Sequence, residues 1–164
     1  MTTKGTAFLF FAVLGADQLT KNYAIQHLAL GESVEVVPEL FNFTLVYNAG
    51  AAFGMFSGLP DIYRWSALGV VSLLALLVVF RFMLKEARGD RASELALSAI
   101  LAGAVGNIID RFRFDAVVDF LDFYWGDNHW PAFNIADSAI SLGVAVLIIR
   151  MLFESQPEGP AAEA

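Results

Sequence analysis

The sequence predicts a mainly α-helical membrane protein with four transmembrane helices and both termini in the cytoplasm. Three observations predict it. The hydrophobic fraction is 57%, against roughly 45–50% in ordinary soluble domains, and the mean hydropathy is +0.61. Four segments approach the roughly 20 apolar residues that cross a bilayer as a helix. Basic residues gather in one connection between them, which fixes the orientation.

The four segments lie at about 5–27, 63–84, 93–112 and 134–153. The second has a charge-free centre from Trp65 to Phe80, and the others each carry charges. Between the first two, Phe41, Phe43, Leu45 and Tyr47 alternate with Asn42, Thr44, Val46 and Asn48. That is strand periodicity, and Gly50, Gly54, Gly58 and Pro60 then interrupt it. The rival reading of those glycines is a GxxxG helix-packing stripe. Arg81, Lys85, Arg88 and Arg91 lie between spans two and three, whereas 28–61 holds Glu32, Glu35, Glu39 and Asp61 and no Lys or Arg. The positive-inside rule then puts 85–92 and both termini in the cytoplasm, with 28–62 and 113–133 outside. Tyr63, Trp65, Tyr124, Trp125 and Trp130 fit an aromatic belt at the outer interface.

The length of 164 residues fits one domain, 1–153. The acidic tail "ESQPEGPAAEA" at 154–164 has the composition of a disordered segment. Lys4 and "VLGA" before Asp17 resemble a cleavable signal peptide, but the apolar pattern resumes at Tyr23, Ala24, Ile25 and Leu28, which favours a retained helix. The chain has no cysteine, which excludes disulfides and thiolate chemistry. A net charge of −7 argues against nucleic-acid binding. No GxSxG, HExxH or P-loop pattern occurs.

Polar residues then mark the outward ends of the spans. Asp17 and Lys21 share a helix face in the favourable acid-first order. Such a pair can simply neutralise itself inside a membrane, so a structural role is favoured here. Asn107, Asp110 and Arg111 end span three, where a guanidinium can hold a carboxylate through two parallel bonds. Asp119 stands in "DAVVDF" and Asp137 in "FNIADS", both in apolar surroundings at one predicted depth. A carboxylate there costs free energy unless paired or protonated. Two carboxylates in one dry site hold a proton between them, and one can act as base on water while the other acts as acid. That is the chemistry of aspartic-type peptide hydrolysis. Asp115, Asp122 and Asp127 are rival partners, although Asp122 and Asp127 lie in the loop-like "DFYWGDNHW" and are expected to be solvated. A metal held by outer carboxylates and His129 is a further rival without defined ligand spacing. His27 reads as an interfacial residue, and Ser66, Ser72, Ser98, Ser138 and Ser141 as helix-packing residues.

"DQLTK" at 17–21, "NAGAAFG" at 48–54, "GNIIDR" at 106–111, "VVDF" at 117–120 and "FNIADS" at 133–138 occur in this order. Together they closely resemble the lipoprotein signal peptidase (signal peptidase II) family. The resemblance implies a bacterial inner-membrane aspartic endopeptidase with four transmembrane helices and a small extracytoplasmic β-sheet between helices 1 and 2. It implies cleavage of prolipoproteins just before the diacylglyceryl-modified cysteine, near the outer face of the membrane. It implies Asp119 and Asp137 as the catalytic pair. It also implies that Asp17, Lys21, Asn48, Gly50, Asn107, Asp110, Arg111, Asn134 and Ala136 support the site or contact substrate. No metal or other cofactor is expected. The expected partners are lipid-modified prolipoproteins and membrane lipids, with no nucleic acid, and the expected state is a monomer. The alternatives are a small proton- or cation-coupled transporter, which intramembrane carboxylates also suggest, and a non-catalytic scaffold packing through glycines.

Overall fold

The computed structural model describes residues 3–50 and 90–154. The expected span at 63–84, the glycines at 54 and 58, the basic residues at 81, 85 and 88, the aromatics at 63 and 65, the serines at 66 and 72 and the tail from 155 lie outside the described residues.

Three helices are described: α1 (Thr3–His27), α2 (Arg91–Phe114) and α3 (Ile135–Glu154). Each runs within two residues of the apolar segment that predicts it, because apolar length determines how far a helix can continue in lipid. By length and composition, α2 and α3 are long and apolar enough to cross a membrane. Asp17 and Lys21 lower the hydropathy of α1. The central helix α2 packs against both α1 and α3. Small residues permit the close approach. A Cβ on Gly103 would lie 2.5 Å from the Ala136 carbonyl oxygen, and one on Gly143 would lie 2.6 Å from Ile100 Cγ1.

Polarity is inverted relative to a soluble protein. Asp17, Lys21, Asp110, Asp119 and Asn134 are almost fully buried, while Phe8, Phe11, Leu142, Leu152 and Phe153 are exposed. Polar groups that pair inside and apolar groups that face outward suit a lipid solvent.

The remaining elements form one antiparallel sheet in the order β1 (Ser33–Val37), β2 (Phe41–Asn48), β3 (Val117–Trp125), β4 (Asn128–His129). The alternation at 41–48 therefore marks β2. Its burial does not simply follow the apolar residues: Leu45 and Asn42 are buried, whereas Phe43 is exposed. In β3, "VVDFLDFYW" pairs Asp119 opposite Val46 and Val117 opposite Asn48. The junction from α2 into β3 is a left-handed residue, Asp115 at φ 57, whose N–H donates to the Arg111 carbonyl at 3.1 Å. A small core of Ala24, Leu45, Val118 and Phe120 joins the sheet to the end of α1.

Two expectations change. "DFYWGDNHW" is a strand and hairpin turning at Gly126 (φ 57), and Asp122 is buried within it. Asp122 accepts hydrogen bonds from Thr44 Oγ1 and His129 Nδ1, both at 2.9 Å, so pairing across the sheet replaces the expected solvation.

Candidate active site

The start of α3 shows why an aspartate opens an apolar helix. Asn134 is the N-cap. Its Oδ1 accepts the Asp137 N–H at 2.9 Å, and its carbonyl accepts the Ser138 N–H at 3.2 Å. Asp17 Oδ1 reaches in from α1 and accepts the Ala136 N–H at 2.9 Å. Two of the first-turn donors that a helix leaves unpaired are thereby satisfied. Asp137 sits in that first turn, where the positive end of the helix dipole favours an acid.

Asp119 approaches from β3. Its Oδ1 accepts from Asn134 Nδ2 at 2.7 Å and its Oδ2 accepts from Asn48 Nδ2 at 3.1 Å. The Gly50 N–H donates to Asn48 Oδ1 at 3.1 Å, which orients that amide so that its nitrogen faces Asp119. Asp137 Oδ1 accepts from Asn107 Nδ2 at 2.8 Å. Both aspartates line one cavity of about 1280 Å³, together with Asn48, Asn107 and Arg111. Burial, and then the neighbouring charge of Asp137, push the Asp119 carboxyl up to about 7, against the opposing hydrogen bonds from Asn48 and Asn134.

Beneath the cavity lies a buried ionic cluster. Lys21 Nζ is 2.9 Å from Asp17 Oδ2 and 2.8 Å from Asp110 Oδ2, and donates to Asn107 Oδ1 at 2.9 Å. The Asp17–Lys21 pairing expected from spacing is present, and Asp110 joins it. Asp110 Oδ2 also accepts the Val118 N–H at 3.2 Å, tying α2 to the strand that carries Asp119. The cluster is thus joined to both aspartates, to Asp137 through Asn107 and to Asp119 through β3.

Arg111 departs from its expected geometry. Its Nη1 donates to the Asn107 carbonyl at 3.2 Å, in place of two parallel bonds to a carboxylate, because its own helix presents that oxygen one turn back. It still places a positive charge among Asp137, Asp119 and Asp110. Of the residues implied by the resemblance, Asn48, Gly50, Asn107, Arg111, Asp119 and Asp137 line the cavity, Asp17, Lys21 and Asp110 form the cluster, and Asn134 and Ala136 bond to Asp119 and Asp17.

Two further residues belong to this arrangement. Gln18 Nε2 donates to Asp110 Oδ1 at 3.0 Å, and to Asp17 Oδ2 and the Gly106 carbonyl at 3.2 Å each. Gly106 leaves room for the Asp17 carboxylate, which a Cβ would strike. Both lie inside quoted motifs, "DQLTK" and "GNIIDR", yet only the folded packing shows their tasks. Among the described residues, no group of three or more His, Asp or Glu side chains is arranged to hold a metal ion.

Comparison with known proteins accords with this geometry. Residues 9–153 match the family model described as Signal peptidase (SPase) II. The chain is 46% identical over 147 residues to a lipoprotein signal peptidase of Desulforapulum autotrophicum, covering 89% of this chain and 90% of that one. It is 45% identical over 140 residues to a lipoprotein signal peptidase of Syntrophus aciditrophicus, covering 85% and 87%. A solved bacterial membrane enzyme superposes with a TM-score of 0.86 at 31% identity, covering 98% of this chain and 95% of that one. A second superposes with a TM-score of 0.80 at 33% identity, covering 93% and 95%. Agreement of family model, sequence and fold over almost the whole length leaves one conclusion: the chain belongs to the signal peptidase II family of membrane peptidases.

Proposed function

We propose that the chain is an aspartic endopeptidase that removes signal peptides from diacylglyceryl-modified prolipoproteins, cleaving before the lipid-bearing cysteine. The observation that carries this reading is the placement of Asp119 and Asp137 on one cavity, with Asp119 pushed up to about 7. Near neutral pH such a pair holds one proton between its two members. The ionised carboxylate takes a proton from water as the water oxygen attacks the scissile carbonyl carbon. The protonated partner donates to the carbonyl oxygen, giving a tetrahedral diol. Collapse breaks the C–N bond, and the leaving amine takes a proton from the pair. Asn48, Asn134 and Asn107 hold the carboxylates in place, so little reorganisation is needed during reaction.

The site lies at the outer face of a bacterial inner membrane, in a single domain, 1–153, of four transmembrane helices with both termini cytoplasmic. The enzyme works as a monomer without a metal or other cofactor. Substrate arrives by lateral diffusion, its signal helix in the bilayer and its acylated cysteine at the interface. The lipid supplies binding energy remote from the reacting bond. The test is incubation of the purified protein in bilayers with a diacylglyceryl-modified precursor peptide and its unlipidated twin, with products mapped by mass spectrometry. The expected result is a single cut before the modified cysteine and none in the twin. Intact peptides beside folded protein contradict the reading. Solute flux in sealed vesicles without cleavage then points to the transporter.

A further inference from the structure

We propose that Ser141 is a substrate contact on the signal-peptide side of the scissile bond, holding the backbone about two residues before it. The inference rests on the peptidase reading of the cavity. Beyond Asp137, the cavity wall continues along α3 through Ile140, Ser141 and Leu142. Ser141 follows Asp137 by four residues, so it faces the same side one helical turn further on.

Four other serine and threonine hydroxyls of the described helices have partners. Thr20 donates to the Ala16 carbonyl at 2.7 Å, Ser98 to the Thr6 carbonyl at 2.7 Å, and Ser138 to the Asn134 carbonyl at 3.0 Å. Ser93 donates to Asp90. Ser141 instead is exposed on the cavity wall and has no hydrogen-bond partner among the described residues. It is a polar group between two apolar ones, at a level of the helix suited to lipid.

A peptide bond attacked by water has to leave the hydrogen-bond ladder of its helix. The peptide units just before it then lose partners in an apolar setting, which is costly. One turn of helix rises about 6 Å over four residues, and extended backbone spans about 3.3 Å per residue. A hydroxyl one turn from Asp137 therefore meets the peptide unit about two residues before the scissile bond. Its oxygen accepts from the N–H there or its proton goes to the carbonyl.

The test compares wild type, Ser141→Ala and Ser141→Thr on a lipidated precursor peptide. It repeats the comparison on the same peptide with an ester in place of the amide two residues before the scissile bond. The ester removes the N–H and weakens the carbonyl as an acceptor. The expected result is a fall of about five- to tenfold in kcat/KM for Ser141→Ala, near-wild-type turnover for Ser141→Thr, and an ester penalty that shrinks in Ser141→Ala. Equal kcat/KM in wild type and Ser141→Ala, or an ester penalty of the same size in both, overturns the proposal. Thermal unfolding in detergent checks that the variants fold. Failure of wild type to cleave the parent peptide is a separate result, which overturns the peptidase reading itself.

Discussion

Asn134 donates its side-chain amide to Asp119 at 2.7 Å while the oxygen of the same amide caps the helix that carries Asp137. One side chain thereby sets the position of both carboxylates relative to each other. Asn134→Ala removes both functions. It is expected to lower kcat by roughly 10- to 100-fold, the worth of a hydrogen bond to a charged group, and stability by about 1 kcal/mol for the lost cap. Asn134→Ser separates the two. A serine caps the helix but is too short to reach Asp119, so thermal unfolding is expected to recover and turnover is not.

The three described helices were legible as long stretches dense in apolar residues, and β2 because its alternation is local. β1 and β4 were not, since Ser33–Val37 and Asn128–His129 are short and gain their partners only from the assembled sheet. Asp122 reads as solvated from the sequence because its partners, Thr44 and His129, come from two other strands. The candidate residues stood out as charges in apolar surroundings. The tasks of Gln18 and Gly106 depend on how closely α1 approaches α2, which no local pattern encodes.

Stability carries a pH signature from Asp119. Its folded carboxyl titrates at about 7, against an ordinary value of 3.8. Below pH 3.8 it is protonated whether folded or unfolded and has no effect. As pH rises towards 7 the unfolded chain loses its proton first, so stability falls, and above 7 the full penalty applies. Asp119→Asn lacks this titration. The unfolding temperature of Asp119→Asn relative to wild type, followed in detergent from pH 4 to 8, is expected to rise with pH. A flat difference contradicts the shift.

Lys21→Met leaves Asp17 and Asp110 buried without their shared cation. Breaking a buried ion cluster from one side costs about 3–5 kcal/mol. Adding Asp110→Asn removes one of the orphaned charges and is expected to restore part of the loss. Chemical or thermal unfolding of the single and double variants measures both effects.

Gly106→Ala drives a methyl group into the Asp17 carboxylate and is expected to cost about 1–3 kcal/mol and to weaken turnover. Gly15 provides the contrast. Nothing lies within 4 Å of a Cβ placed there, so Gly15→Ala is expected to be neutral or to stabilise α1 by about 0.5–1 kcal/mol. Unfolding temperatures of the two variants distinguish crowding from a general effect of replacing a glycine.

The most direct test of the central claim is turnover of a diacylglyceryl-modified precursor by folded Asp119→Asn and Asp137→Asn. Asparagine keeps the shape of each side chain and cannot take or give the proton. The expected result is that both variants fold, bind the precursor and fail to cleave it. Cleavage at the wild-type rate by either variant would contradict the assignment of Asp119 and Asp137 as the catalytic pair.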